Sequence, residues 1–128
     1  MLSLGANRHI DYAVQKFYEE VDDADIVFDT VGGQTLADSI NIVKVGGKLI
    51  TIVPPLTDEL KKQASDKNIN LSFVMSHASG GDMEKIADLL GQGIIKTHIS
   101  ARYSFAEMKK AHLHLETGHT VGKVIVTL

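Results

Sequence analysis

The sequence has no cysteine, so neither a disulfide framework nor thiolate zinc ligation is open to it. No apolar run is long enough to span a bilayer, and the N-terminus lacks a signal-peptide pattern. A membrane partner is therefore not expected, and a cytoplasmic location is the default. Charge of neither sign dominates: the net charge is -3 with both signs dispersed. Without a basic stripe, no nucleic-acid partner is expected. The six histidines show no H-E-x-x-H or comparable spacing, and His112 and His114 stand two apart, on different faces of a helix. No metal site is expected. G-x-S-x-G is absent, so Ser72, Ser76, Ser79 and His77 form no nucleophile elbow. No acid–base pair stands out, and the residues alone indicate no catalytic centre.

What remains is an ordinary globular composition, 44% apolar and 23% charged over 128 residues, enough for one domain with a real core. Two apolar runs organise it. Asp25-Ile26-Val27-Phe28-Asp29 leads into Thr30-Val31-Gly32-Gly33, and Gly46-Gly47 leads into Leu49-Ile50-Thr51-Ile52-Val53 and then Pro54-Pro55. Neither run alternates, as expected of strands covered on both faces. Leu36, Ile40 and Val43 lie between them at helical spacing, with Gly46-Gly47 as the stop. Pro54 and Pro55 end the second ladder because neither can donate to it.

Outside this strand–helix–strand core, Leu2 to Ala6 reads as the last turn of a helix with Gly5 just past its end, which implies a missing upstream segment. His9 to Tyr12 is a short strand candidate. Thr57 is the expected cap of a helix carrying Leu60 and Ala64, and Leu71 to Met75 a further strand. Ser79 or Asp82 caps a helix with Met83, Ile86, Ala87 and Leu90 on its apolar face, closed by Gly91 and Gly93. His98 to Tyr103 is extended. Ser104 and Glu107 form a capping box ahead of a helix whose expected buried face is Phe105, Met108, His112 and Leu115. Gly118 ends that helix, and Lys123 to Leu128 is the last strand. Alternating strands and helices predict an α/β fold, a partial Rossmann-like, mostly parallel sheet with flanking helices. The rhythm changes near residue 97, dividing the chain into 1–96 and a strand–helix–strand tail, 97–128.

Ligands of open parallel sheets bind at the carboxyl ends of the strands, where loops diverge around a crevice. Thr30 to Gly33 and Val53-Pro54 hold those positions. Glycine admits a flat ligand close to the backbone, and Thr30 offers a hydroxyl. Gly32-Gly33 equally serves as a plain turn into the helix, and Asp29 as a partner for neighbouring amides. Gly46-Gly47 sits at the opposite end of the sheet, which favours a structural turn. Lys123, beside Gly122, is placed either to reach a phosphate or to stay solvated. Tyr12 either stacks on a nucleotide or is a partly buried tyrosine.

The order of the pieces is familiar. L-G-A at 4–6, H-I-D-Y at 9–12, D-I-V-F-D-T-V-G-G at 25–33 and V-G-G-K-L-I-T-I at 45–52 resemble the medium-chain dehydrogenase/reductase superfamily. F-A-E-M-K-K-A-H at 105–112, L-E-T-G-H at 115–119 and G-K-V-I-V at 122–126 resemble its ending. The branch most similar is the zinc-independent quinone oxidoreductases, often labelled zinc-binding dehydrogenase. The resemblance implies a Rossmann domain binding NADPH in a cleft against a GroES-like domain, with residues from about 97 packing back on the latter. His9–Tyr12 would be the third Rossmann strand, and those near 25–29, 48–53 and 71–75 the fourth to sixth. It places Tyr12 near the adenosine phosphate, Thr30, Val31 and Gly32 near the adenosine, Val53, Pro54 and Phe73 near the nicotinamide, and, more weakly, Lys123 at the cofactor.

The first two Rossmann strands, the glycine-rich phosphate loop, the first helix and the GroES-like domain have no counterpart here, and Val45 stands at a position where the family usually has proline. The lost loop removes roughly two or three hydrogen bonds to charged pyrophosphate oxygens, about 3–9 kcal/mol. The resemblance thus implies a C-terminal portion of an NADPH-dependent quinone or enone reductase, inactive by itself, with a small-molecule substrate only in the intact parent. In the strand order 3-2-1-4-5-6 the run 25–29 loses its neighbour. Residues 9–12 are then expected to cover that edge, or two copies to pair through it as a homodimer. Two alternatives are a fragment of an S-adenosylmethionine-dependent methyltransferase, marked by an antiparallel last strand inserted in the sheet, and a non-catalytic interaction module.

Overall fold

The computed structural model describes all 128 residues. The chain forms two compact units, Met1–Ser76 and His77–Leu128. In the first, a 3-10 turn at Leu2–Leu4 ends on Gly5 in the left-handed conformation, as the sequence predicts. A single helical turn, α1 (Phe17–Glu20), precedes β1 (Ala24–Asp29), α2 (Gly33–Ser39), β2 (Val43–Thr51), α3 (Asp58–Asp66) and β3 (Asn70–Phe73). The three strands make one sheet in the order β1-β2-β3, parallel throughout. The expected Rossmann-like parallel α/β arrangement is present.

In register, Val27, Leu49 and Leu71 stand side by side, as do Asp29, Thr51 and Phe73. Because side chains alternate along a strand, this set shares one face. Leu36 and Ile40 from α2, and Ala64 with Leu60 from α3, close over it, with Val43 and Ile69 completing the core. Leu36, Leu49 and Thr51 are wholly excluded from solvent. Thr57 caps α3 as expected, its hydroxyl accepting from the Leu60 amide at 3.2 Å.

The sequence expectations fail in three places here. His9–Tyr12 is not a strand; it leads into a turn held by Asp11, whose carboxylate accepts from the Ala13 amide at 2.9 Å. A short strand needs a neighbour to fill its ladder, and none is provided, so residues 9–12 do not cover the edge of β1. The two central runs are covered on one face only: Ile26 and Phe28 are each 61% exposed on the uncovered side. Finally, α2 ends at Ser39, not at Gly46-Gly47. Those glycines lie within β2, where the register against β1 jumps from Ala24–Val43 to Ile26–Lys48. Gly46 takes φ +80°, and a Cβ on Gly47 would stand 2.7 Å from Val43 and 2.9 Å from the Lys44 carbonyl. The pair makes an irregular bend at the amino end of the sheet, the structural role its position favours.

The second unit holds α4 (Gly80–Gly91), β4 (Ile99–Ser104), α5 (Met108–Glu116) and β5 (Lys123–Thr127). Ser79 caps α4, accepting from the Asp82 amide at 3.2 Å. Its predicted apolar face stays open, with Met83, Ile86 and Leu90 all exposed. β4 and β5 pair in parallel as a separate two-stranded sheet. A parallel last strand outside the larger sheet removes the arrangement that would have supported a methyltransferase. The Ser104–Glu107 capping box forms, opening a 3-10 turn that runs into α5. The buried face of α5 differs from expectation. Phe105, His112 and Leu115 are exposed, and Ala111 is the buried residue. The small alanine lets the helix sit close to the sheet, and one turn on, His114 Nδ1 lies 3.0 Å from the Tyr103 hydroxyl. No helix is long and apolar enough to cross a membrane.

Candidate functional site

The carboxyl ends of β1 and β2 are joined by a buried polar pair. Asp29 and Thr51 are the last residues of their strands, cross-strand partners on the core face, exposed by 4% and 0%. A carboxylate so placed must be fully hydrogen-bonded, because an unpaired buried charge is costly. Its Oδ1 accepts from the amides of Val31 at 3.3 Å and Gly32 at 3.1 Å. Oδ2 accepts from Gly32 at 3.0 Å and from the Thr51 hydroxyl at 2.7 Å. With its proton donated to Asp29, Thr51 Oγ1 accepts from the Val53 amide at 3.1 Å.

This network shapes the loop that carries the predicted site. Gly32 takes φ +75° and ψ -165°, a conformation essentially reserved for glycine. A Cβ there would stand 2.5 Å from Val53 Cγ1 and 2.9 Å from Val53 Cβ. Gly32 therefore packs its bare Cα against Val53, and the two loops touch. Thr30 and Val31 remain exposed on the open side of that contact. Gly32 makes the turn and is itself buried, its amide held by Asp29, while Gly33 beside it is exposed.

Thr30, Val31, Gly32, Val53 and Pro54 thus lie together at the carboxyl ends of adjacent strands. Phe73, half-buried at the end of β3, stands in register with Thr51 and shares with Ile52, Pro54 and Val74 a shallow depression of about 300 Å³. A second depression, of about 200 Å³, lies along β1 between Phe17, Phe28, Thr30 and Val31. A third, of about 540 Å³, runs between α2 and α3 from Gly33 to Pro55 and Gln63. Its carboxylates are already engaged, since Gln34 donates to Asp38 at 2.8 Å and Gln63 to Glu59 at 3.4 Å.

Tyr12 lines none of these depressions. It is 86% exposed in the turn after Asp11, so it is not a partly buried tyrosine. Lys123 belongs to the other unit, where its amide donates to the His98 carbonyl at 2.8 Å as β5 begins. Thr51 was not singled out from the sequence. The available signal was positional: a threonine inside an otherwise apolar run, with an aspartate ending the run before it.

A family model described as zinc-binding dehydrogenase matches residues 4–126. The chain is 30% identical over 126 residues to 2-methylene-furan-3-one reductase of Solanum lycopersicum, covering 97% of this chain and 29% of that protein. It is 28% identical over 127 residues to the chloroplastic NADPH-dependent alkenal/one oxidoreductase of Arabidopsis thaliana, with the same two coverages, 97% and 29%. Among solved structures, the quinone oxidoreductase from Coxiella burnetii shares the fold, with a TM-score of 0.89 at 24% identity over 99% of this chain and 40% of that one. The chain spans about 29–40% of the length of these relatives. Over that span, it belongs to the zinc-binding dehydrogenase family.

Proposed function

We propose that this chain supplies the nicotinamide-nucleotide walls of an oxidoreductase that moves a hydride between NADPH and an activated double bond or quinone. The observation that carries this is the juxtaposition of two open loops, Thr30–Gly33 and Val53–Pro54, latched side by side at the carboxyl ends of parallel strands. That is where an open α/β sheet binds nucleotides. Thr30, Val31 and Gly32 face the adenosine; Val53, Pro54 and Phe73 lie toward the nicotinamide. The family resemblance adds Tyr12 near the adenosine phosphate and Lys123 at the cofactor of the intact parent. Residues 1–96 belong to the cofactor domain and 97–128 form its tail. The relative named as an NADPH-dependent alkenal/one oxidoreductase supports this choice of chemistry.

The glycine-rich loop that would hold the pyrophosphate has no counterpart in these residues. Its absence costs about two to six powers of ten in affinity, so this chain alone binds NADPH at millimolar strength or weaker and does not catalyse turnover. Nuclear magnetic resonance titration with NADPH tests both parts. Amide shifts should concentrate at Thr30–Gly33 and Val53 and saturate only above about 1 mM. Shifts scattered elsewhere, or none, would overturn the site; a tight stoichiometric calorimetric titration would overturn the weak binding. The open edge of β1 adds a second element of the proposal, pairing of two copies through Ala24–Asp29.

A further inference from the structure

We infer that Asp29 and Thr51 are positioning residues that make the two ligand loops move as one. The loops after neighbouring parallel strands ordinarily diverge. Here a directed chain spans them, running from the Val53 amide to the Thr51 hydroxyl to the Asp29 carboxylate, which also receives the Val31 and Gly32 amides. Every polar member has one assignment. The carboxylate only accepts, so the Thr51 proton points to it and leaves the hydroxyl oxygen free for Val53. The alternative, Thr51 donating to the Val53 carbonyl, spans 3.5 Å and leaves the carboxylate short of a donor. The bare Cα of Gly32 against Val53 adds a steric contact to the polar one. Both loops are therefore defined relative to each other, and a ligand seated on one fixes the other. Naming the loops as nucleotide walls rests on the function proposed above; their coupling does not.

The test separates the two. Hydrogen exchange is measured at the Val31, Gly32 and Val53 amides without any nucleotide, with Leu36 and Leu49 reporting the stability of the core. Thr51→Val keeps the shape and removes the hydroxyl. Exchange at all three loop amides should rise together, by about tenfold or more beyond any rise at Leu36 and Leu49. Thr51→Ser keeps the hydroxyl and should restore joint protection. A rise at Val53 alone, or one equal to that of the core amides, would overturn the coupling. The unsubstituted chain gives a check that needs no variant. The Thr51 hydroxyl proton should be observable, slow to exchange, and close to the Gly32 and Val53 amides in cross-relaxation spectra; fast solvent exchange would overturn the assignment. Titration with 5′-AMP then addresses the walls. Shifts at Val31 and Gly32 should reach Val53 in the unsubstituted chain and fade there in Thr51→Val. Nucleotide shifts absent everywhere, with exchange coupled as described, would defeat the function and leave the coupling standing.

Discussion

Gly32 lies against Val53 so closely that a single added carbon would stand 2.5 Å from Val53 Cγ1. The same glycine holds φ +75°, whereas Gly33 beside it holds φ +56°, and a methyl group added there would meet nothing within 4 Å. Adjacent glycines thus fail differently. Gly32→Ala meets both backbone strain and overpacking, and should lower unfolding free energy by about 2–5 kcal/mol. Gly33→Ala meets only the left-handed penalty, about 1–2 kcal/mol. Urea denaturation followed at the first unit should rank them in that order; equal losses would show that the contact with Val53 yields freely.

The core makes an equally direct comparison. Leu36 is fully buried among Ile40, Leu49 and Ala64, and Leu36→Ala should cost about 2–5 kcal/mol through lost transfer energy and the cavity left behind. Leu115, also a helical leucine at a position that spacing marks as core, is 51% exposed, so Leu115→Ala should cost less than about 1 kcal/mol. Each is read from the unfolding of its own unit. A large loss at Leu115 would mean that the face predicted from spacing is the buried one after all.

That contrast shows what was legible in the sequence. The three strands and α3 of the first unit followed in approximate position from apolar runs, Pro54-Pro55 and the Thr57 cap, because these features act locally. The place of the Thr30–Gly33 loop followed too, since D-T-V-G-G after a run marks a strand's carboxyl end. Which side of an element is covered did not follow. Periodicity places His112 and Leu115 on the inner stripe of α5, but only the two-stranded sheet beneath decides that Ala111 faces inward. Phe28 in a continuous apolar run reads as doubly buried, yet α2 and α3 both pack on the opposite face. Thr51 reads as an ordinary strand former until its register partner is known to be Asp29.

Stability should depend on pH at both extremes through exposed helix-terminal pairs. Glu107 is held below its ordinary carboxylate value, first by hydrogen bonding to Lys110 and then by the Ser104 amide; Asp58 is held low by Lys61. A carboxyl whose folded value is depressed contributes fully above its unfolded value, and the contribution is lost as pH falls through the folded one. The acid limb therefore begins below about pH 4.5. Lys110 and Lys16 are raised by Glu107 and Glu19, so their share persists below the ordinary lysine value and disappears as pH rises past it. Urea midpoints of the second unit between about pH 3 and 7 should flatten in Glu107→Gln, and added salt should shrink the difference. An unchanged acid limb would mean that these pairs do not contribute.

The edge of β1 gives the last test. β1 pairs only with β2, and Ile26 and Phe28, both 61% exposed, stand on its uncovered face beside that open edge. An open apolar edge is a template for another strand unless charge or a bulge protects it. The only charges on β1 are Asp25, engaged by Lys44, and the buried Asp29. Light scattering should therefore give a mass above the 13.9 kDa of one chain, rising with concentration. Placing lysine on the exposed edge, as Ile26→Lys with Phe28→Lys, should return the mass to one chain without disturbing the core, since both side chains point away from Leu36 and Leu49. A single-chain mass for the unsubstituted protein up to about 100 μM would leave the edge open in solution and end the pairing proposal.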